Sequence, residues 1–87
     1  MYVGLDSAET CIARVRARVA LGGHSVPDAD VRRRYGRSLA NYAKALRLVN
    51  FGKVYDNSGD DGHRLVLVAR VGAIVWRAEP LPRWAEL

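Results

Sequence analysis

Cysteine, methionine and phenylalanine each occur once in this 87-residue chain, which also has only two histidines and three prolines. A single cysteine, Cys11, excludes an intramolecular disulfide and a multi-cysteine metal site, and its place on the apolar side of a predicted helix indicates a buried small side chain. His24 and His63 each lack a second histidine at metal-ligand spacing. No Ser/His/Asp or Cys/His set is evident. The sequence therefore predicts no metal site and no complete catalytic apparatus.

Long apolar runs are also missing. No uncharged stretch approaches the roughly 18–20 residues that a membrane span requires, and the chain does not open with a charged segment followed by an apolar one, as a signal peptide does. We therefore expect a cytoplasmic protein with no membrane partner. Internal repeats and low-complexity tracts are absent as well.

Positive charge is what the chain has in excess. Fourteen Lys and Arg against nine Asp and Glu give 14 − 9 = +5, with 49% hydrophobic and 26% charged residues. This composition predicts one small globular domain over residues 1–87. The charge favours anionic partners such as nucleotides, nucleic acid or acidic lipid, without choosing among them.

Two helices are predicted from apolar periodicity. The first runs from about Ser7 to Leu21, with Asp6 or Ser7 as cap and Glu9 reaching back to the cap amide. The second runs from about Pro27 to Val49, with Pro27 at its first position. Apolar residues at helical spacing predict one buried stripe on each helix. These stripes comprise Ala8, Ile12, Val15 and Val19, and then Val31, Tyr35, Leu39, Tyr42, Leu46 and Val49.

The remaining elements are predicted to be strands and turns. Short strands are expected over 1–5 and 53–56, with residues 50–52 ending the second helix and residues 57–62 forming a loop. From Arg64 to Ala78 an apolar run reversed at Gly72 predicts an antiparallel hairpin with both faces covered. A final helical turn over 83–87 is expected to lay Trp84 on the core. The fold class is α/β: strand, helix, helix, strand, hairpin and C-terminal turn.

Arginines cluster behind the glycine pair Gly22-Gly23. Arg32, Arg33, Arg34 and Arg37 begin the second helix. They suit either closure over an anion or a solvated helix face, and the sequence leaves both open. At about 100° per residue, Arg33, Arg37 and Lys44 fall opposite the apolar stripe, whereas Arg34, Ser38 and Asn41 border it. Arg14 and Arg18, one turn apart on the first helix, are interpreted as solvated.

Several of these elements together resemble a known family. They are Arg14-Val15-x-x-Arg18-Val19, Gly22-Gly23-His24-x-Val26-Pro27, Val31-x-Arg33-Arg34-Tyr35-x-Arg37-Ser38-Leu39-x-Asn41, and Tyr55-Asp56-Asn57-Ser58. In this order and spacing they closely resemble the C-terminal, lid-containing part of zeta-toxin-like P-loop kinases, which belong to toxin–antitoxin systems. The similarity spans residues 3–59, so residues 1–59 would form the lid region and residues 60–87 the hairpin and terminal turn.

The resemblance implies a nucleotide site. In that family a doubly wound sheet binds ATP and Mg²⁺, and lid arginines close on the transferring phosphate of an ATP-dependent sugar-nucleotide kinase. Arg34 and Arg37 match the lid motif best, with Arg33 and Arg18 behind them. Ser38, Asn41 and His24 would line the cleft. The loop Asp56-Asn57-Ser58 would lie near the nucleotide.

The phosphate loop itself is not in the sequence. No glycine-rich segment ending in Gly-Lys-Ser/Thr occurs, so this chain alone is expected to hold no cofactor and to bind phosphate-bearing ligands without transferring phosphate. The alternatives are a small basic nucleic-acid-binding module and a structural module that completes a partner's sheet. Because a sheet starting near residue 2 leaves strand edges unpaired, self-association or a complementary protein chain is also expected.

Overall fold

The computed structural model describes residues 1–59 and 62–86. Its elements follow the predicted order of strand, helix, helix, strand, hairpin and terminal turn. They are β1 (Tyr2–Gly4), α1 (Ala8–Ala20), α2 (Asp28–Leu48), β2 (Phe51–Asp56), β3 (Arg64–Arg70), β4 (Ala73–Arg77) and a 3₁₀ turn (Arg83–Ala85). The predicted mixed α/β class is therefore confirmed. The loop predicted over 57–62 is present at residues 57–59 and 62, and Asp60, Asp61 and Leu87 lie outside the described residues.

The four strands form one mixed sheet in the order β1-β2-β3-β4. β1 pairs in parallel with β2, and Tyr2 lies opposite Val54. β2, β3 and β4 form an antiparallel meander. A parallel pair needs a long crossover connection, and here α1 and α2 together supply it. The arrangement places both helices beside the carboxyl end of β1.

The first helix is capped by Ser7, whose hydroxyl accepts a hydrogen bond from the Thr10 amide at 3.1 Å. Thr10 therefore occupies the position that we expected Glu9 to hold, three residues after the cap. The expected bond from Glu9 to the cap amide is wrong: Glu9 pairs with Arg32 of α2. A second ion pair joins the helices, from Arg16 to Asp28 at 2.8 Å. Both pairs are exposed, so each contributes little stability.

The second helix begins one residue later than predicted. Pro27 is its N-cap, with an extended ψ of 139°, and not its first helical residue. Asp28 and Asp30 put negative charge in the first turn, where the helix dipole is positive. The predicted stripe lies on the packed side of the helix. Its buried members are Val31, Tyr42 and Leu46, and its half-buried members are Tyr35, Leu39 and Val49.

The main core lies between α2 and the meander. Tyr42 and Leu46 of α2 pack with Val54 of β2 and with the fully buried Val66 and Leu67 of β3. Of the α1 stripe only Ile12 is buried, and Val19 is 37% exposed. α1 is thus held chiefly by α2, which leaves space between the two helices and β1.

Trp84 packs on the core as predicted. Its ring lies beside those of Tyr2 and Tyr42, with centroids 5.9 and 5.7 Å away, and Tyr2 and Tyr42 also contact each other. The Trp84 indole N–H donates to Asp56 Oδ1 at 3.2 Å. A β-carbon added at Gly4 would collide with the Trp84 ring. The C-terminal turn therefore fixes the carboxyl ends of β1 and β2 together.

Two strand predictions need correction. Phe51 and Gly52, expected to end the helix, instead begin β2, where Gly52 packs beneath Val49 and Leu46. The expectation that the hairpin is covered on both faces is also wrong. β4 is exposed throughout, and Trp76 retains 47% of its accessible surface. Apolar composition alone does not distinguish a strand buried on both faces from one at an uncovered edge.

The hairpin reverses through Val71-Gly72, as the sequence predicts, but with a strained residue. Val71 has φ 51° and Gly72 φ 75°, the two positive values of a type I′ turn, for which Asn-Gly is the preferred pair. A β-branched residue in this region is strained. Val71→Asn should therefore raise the free energy of unfolding by about 1 kcal/mol, the lower range of such strain.

Urea denaturation of the variant against the parent chain measures this gain. Val75→Asn is the matched control, because Val75 is also exposed and lies in β4 itself. It should give no gain, since asparagine is disfavoured in strands. Equal stabilisation by both substitutions would contradict the turn explanation.

Candidate functional site

A cleft of about 960 Å³ opens between β1, α1 and α2. Backbone and side chains at the end of β1 form its floor, and the facing sides of the two helices form its walls. Its cationic lining residues are Arg14 and Arg18 of α1 and Arg34 of α2, and His24 of the connection between the helices also lines it. We call this the arginine cleft. It lies at the carboxyl end of the parallel strand pair, where ligands bind in open α/β sheets.

The lining of the arginine cleft contains no carboxylate among the described residues. Other arginines of the helices are neutralised locally: Arg33 pairs with Asp30 at 2.8 Å, and Arg16 and Arg32 pair with acids across the helix interface. None of the ion pairs among residues 1–59 and 62–86 involves Arg14, Arg18 or Arg34. Positive charge is thus concentrated in the cleft and is not compensated there.

Hydroxyl groups line the same cleft. The Ser38 Oγ and the Tyr2 hydroxyl are hydrogen-bonded at 2.8 Å, which links α2 to β1. The Tyr35 hydroxyl donates to the Leu5 carbonyl at 2.9 Å. Burial, the largest cause, raises the pKa of Tyr35, so this hydroxyl stays protonated and keeps its donor role at neutral pH. These two bonds hold α2 against the end of β1 and so fix the position of Arg34.

Cys11 is half-buried and lines the cleft, so the prediction of a buried residue is corrected. α1 does not pack closely enough on β1 to cover it. Burial, the largest cause, raises the pKa of the thiol. Because the thiolate is the nucleophilic form, this shift disfavours nucleophilic chemistry at Cys11.

The loop after β2 supports the floor of the cleft. The Asn57 amide donates to the Gly4 carbonyl at 2.9 Å, and the Asp6 amide donates to Ser58 Oγ at 2.8 Å. Asp56 Oδ1 accepts hydrogen bonds from both the Ser58 hydroxyl and the Trp84 indole. Of the described residues of this loop, Asn57 alone lines the cleft. Asp56 and Ser58 lie behind the floor and hold it in place.

Asp56 makes the fold sensitive to acid. Burial, the largest influence, raises the pKa of this carboxyl, but hydrogen bonds from Ser58 and Trp84 and the charge of Arg64 outweigh it and leave the pKa below its ordinary value of 3.8. A lowered folded-state pKa contributes stability that is present above the unfolded value and is lost as the pH falls through the folded value. Asp56→Asn should therefore destabilise the chain at pH 7 and progressively less below about pH 4.

Chemical denaturation of both proteins between pH 7 and pH 3 measures this difference. Glu86→Gln is the control, because the exposed Glu86 side chain takes part in none of the ion pairs or side-chain hydrogen bonds among the described residues. It should change stability little at any pH. A destabilisation by Asp56→Asn that does not shrink in acid would contradict the role given to the charged carboxylate.

The structure separates the predicted site residues into two groups. Arg18, Arg34, Ser38, His24 and Asn57 line the arginine cleft. Outside it lie the remaining helical residues of the prediction. These are Arg33, Arg37 and Asn41, all exposed on α2. Arg37 shares the lid motif with Arg34 but does not line the cleft.

Arg14 is the cationic lining residue of the cleft that the sequence interpretation did not select. It was interpreted, with Arg18, as solvated, because both lie away from the apolar stripe of α1. In the structure Arg14 is half-buried and lines the cleft beside Cys11, Val15 and Arg18. These four residues follow helical spacing. At about 100° per residue, Arg14 lies further round α1 from the apolar stripe than Arg18 does, so helical spacing from the stripe gives no signal that it lines the cleft.

The chain matches no protein-family model, no curated protein and no solved structure. The resemblance to zeta-toxin-like kinases thus stays a prediction.

Among the described residues, no group of three or more His, Cys, Asp or Glu side chains could hold a metal ion. Neither described helix has the combined length and apolar character that crossing a membrane requires.

Proposed function

We propose that the chain binds a phosphate-bearing small molecule, such as a nucleotide, in the arginine cleft and does not transfer phosphate by itself. The observation that carries this proposal is the convergence of Arg14, Arg18 and Arg34 on one cleft whose described lining has no carboxylate. Guanidinium groups bind phosphate oxygens through two parallel N–H donors, and such charge-assisted bonds are about twice as strong as neutral ones. Because the three arginines lie on two helices, they can contact one chain of phosphate groups from two sides.

The cleft also has an apolar side that a nucleoside can occupy. Val3, Leu5 and Val26 line it together with the Tyr35 ring. Ligand clefts of this size typically combine an apolar wall with a few polar groups that fix orientation. Here the arginines and Ser38 supply those polar groups. The resemblance to zeta-toxin-like kinases, in which lid arginines close on phosphate, supports the same ligand class.

The alternative of nucleic-acid binding by the outer face of α2 has weaker support. Of the cations that it would use, Arg32 and Arg33 are each paired with a carboxylate, which leaves Arg37 and Lys44. Backbone binding depends on several uncompensated cations acting together. The cleft therefore concentrates more available charge than the outer face of α2.

Calorimetric titration with ATP, inorganic tripolyphosphate and adenosine tests the proposal. We expect the two phosphate compounds to bind, with affinity falling as salt rises because exposed charges are screened, and adenosine to bind much more weakly. Equal binding of adenosine and ATP would overturn the phosphate assignment. Absence of binding by all three would overturn the proposal as a whole.

We further expect no ATP hydrolysis and no phosphorylation of sugar nucleotides by the isolated chain. Phosphoryl transfer depends on positioned Mg²⁺ and a phosphate cradle, and the sequence contains no Walker A motif. A coupled assay for ADP release, with a P-loop kinase as positive control, measures this. Magnesium-dependent turnover that co-elutes with the homogeneous chain would contradict this expectation and show that the chain has a catalytic site without a Walker A motif.

A further inference from the structure

The sheet has a second face that carries aromatic and cationic side chains. Alternate residues of β2 point to opposite sides of the sheet, and Gly52 and Val54 point toward α2. Phe51, Lys53 and Tyr55 therefore lie on the other side. Across the sheet, Arg70 pairs with Phe51, Val68 pairs with Lys53, and Trp76 pairs with Val68. We call this surface the open face: Phe51, Lys53, Tyr55, Val68, Arg70 and Trp76.

Most of the open face is exposed to solvent, and Tyr55 and Val68 are its two half-buried members. Phe51 keeps 59% and Trp76 47% of their accessible surface, and α2 and the C-terminal turn pack on the opposite side. Large aromatic side chains at this exposure lose the burial that normally stabilises them. A contiguous exposed patch of this kind marks an interaction surface.

Charge on the open face has one sign. Lys53 and Arg70 stand between the aromatic rings, and Lys53 Nζ lies 5.9 Å from the centroid of the Phe51 ring. The described carboxylates lie elsewhere. Asp6, Glu9, Asp28 and Asp30 belong to α1, α2 and their flanks, Asp56 faces Trp84, and Glu79 and Glu86 belong to the C-terminal segment. The open face therefore complements a partner that is both anionic and rich in flat rings.

We infer that the open face binds single-stranded nucleic acid, with bases stacked on Phe51 and Trp76 and the backbone contacted by Lys53 and Arg70. Unpaired bases stack on aromatic side chains irrespective of sequence, while cations follow the phosphates. Phe51 and Trp76 are two strands and two residues apart, about 12 Å by sheet geometry. Two bases of one extended strand can span that separation, whereas a duplex keeps its bases stacked inside. This site is independent of the arginine cleft.

Fluorescence anisotropy of the full chain with a labelled oligouridylate 12-mer, and with the same length of duplex RNA, tests the inference. The single strand should bind more tightly than the duplex. Phe51→Ala and Trp76→Ala should each raise the dissociation constant about fivefold or more, the effect of losing one stacked base. Lys53→Ala should lower the salt slope by about 0.7, the value for one phosphate contact on a single strand.

Matched controls separate this site from other causes. Leu48→Ala removes an apolar side chain that is more exposed than Phe51 or Trp76 and lies away from the open face, and Arg37→Ala removes an exposed cation of α2 that lies outside both the open face and the arginine cleft. Both should leave single-strand affinity within about twofold of the parent value. Trp76→Phe keeps a ring for stacking, so it should retain binding. Stacked bases should quench the fluorescence of Trp76 in the parent chain, and this quenching should be lost in the variant. If Trp76→Ala fails to fold by circular dichroism, Phe51→Ala and Lys53→Ala still test the site.

Three results would overturn the inference. The first is tighter binding of the duplex, which would favour backbone contacts alone. The second is a loss of affinity in Arg37→Ala that exceeds the loss in Phe51→Ala. The third is a dimer in sedimentation equilibrium that Trp76→Phe or Phe51→Ala converts to monomer, since the open face would then be the contact between two copies of the chain.

Discussion

Arg34→Ala should raise the dissociation constant for tripolyphosphate or ATP by roughly tenfold to a hundredfold, or about 1.5–3 kcal/mol, the range for a hydrogen bond to a charged group. Arg34 lines the arginine cleft, and none of the described carboxylates forms an ion pair with it. Its guanidinium is therefore available to a ligand without first breaking a pair. Calorimetric titration of the variant at low salt measures the loss.

Arg37→Ala is the matched control for Arg34→Ala. It removes the same group from the same helix one turn further along, at an exposed position outside the cleft. We expect it to change the dissociation constant by less than threefold, through long-range charge alone. Equal losses in the two variants would mean that the net charge of the helix, and not the cleft, determines binding.

Leu67→Ala should lower the free energy of unfolding by about 2–5 kcal/mol, the usual cost of truncating a buried leucine. Leu67 is fully buried and lies opposite Val54 in the centre of the sheet, under Tyr42 and Leu46. A domain of this size has a small core and can spare little of it. Urea denaturation followed by circular dichroism gives the difference.

Leu48→Ala provides the comparison for Leu67→Ala, because Leu48 is 83% exposed at the end of α2. Its substitution should change stability by no more than about 0.5 kcal/mol. A cost below about 1 kcal/mol for Leu67→Ala would contradict the assignment of the core to the α2 and β3 interface.

The order of the elements could be predicted because the signals for it are local. Helical spacing over residues 8–19 and 31–49, the glycine pair between them, and Gly72 at the hairpin each act within a few residues. Errors occurred where two local signals compete. Asn50 and Gly52 together suggest a turn after α2. In the structure Gly52 lies in β2, where its missing side chain leaves the space that Val49 and Leu46 fill.

The cleft could be predicted only in part, because its shape depends on how α1 packs. Arg34 and Ser38 were placed correctly on the border of the α2 stripe, and both line the cleft. Asn41 continues the same border but lies about 10 Å further along the helix axis than Arg34, beyond the amino-terminal start of β1, since Ser38 already lies beside Tyr2. The extent of the cleft along α2 depends on how long β1 is and how it packs beside the helix. The residues of α2 carry no information on either point.

The open face was missed for a related reason. Alternation in β2 separates Phe51 and Lys53 from Gly52 and Val54, but the sequence does not state which side the helices cover. The apolar run of the hairpin suggested that both sides were covered. Only the packing of α2 on Val54 and Leu67 assigns the two faces.

The parallel pairing of β1 with β2 also sets the order in which this chain can fold. Tyr2 meets Val54 across roughly fifty residues, whereas β2, β3 and β4 join through short loops. Closing the longer loop costs more chain entropy before any contact is gained, so distant pairings form late. The meander and α2 can therefore form before β1 docks. The arginine cleft, whose floor is the end of β1, then exists only in the completed fold, and a bound phosphate ligand reports that the last strand is in place.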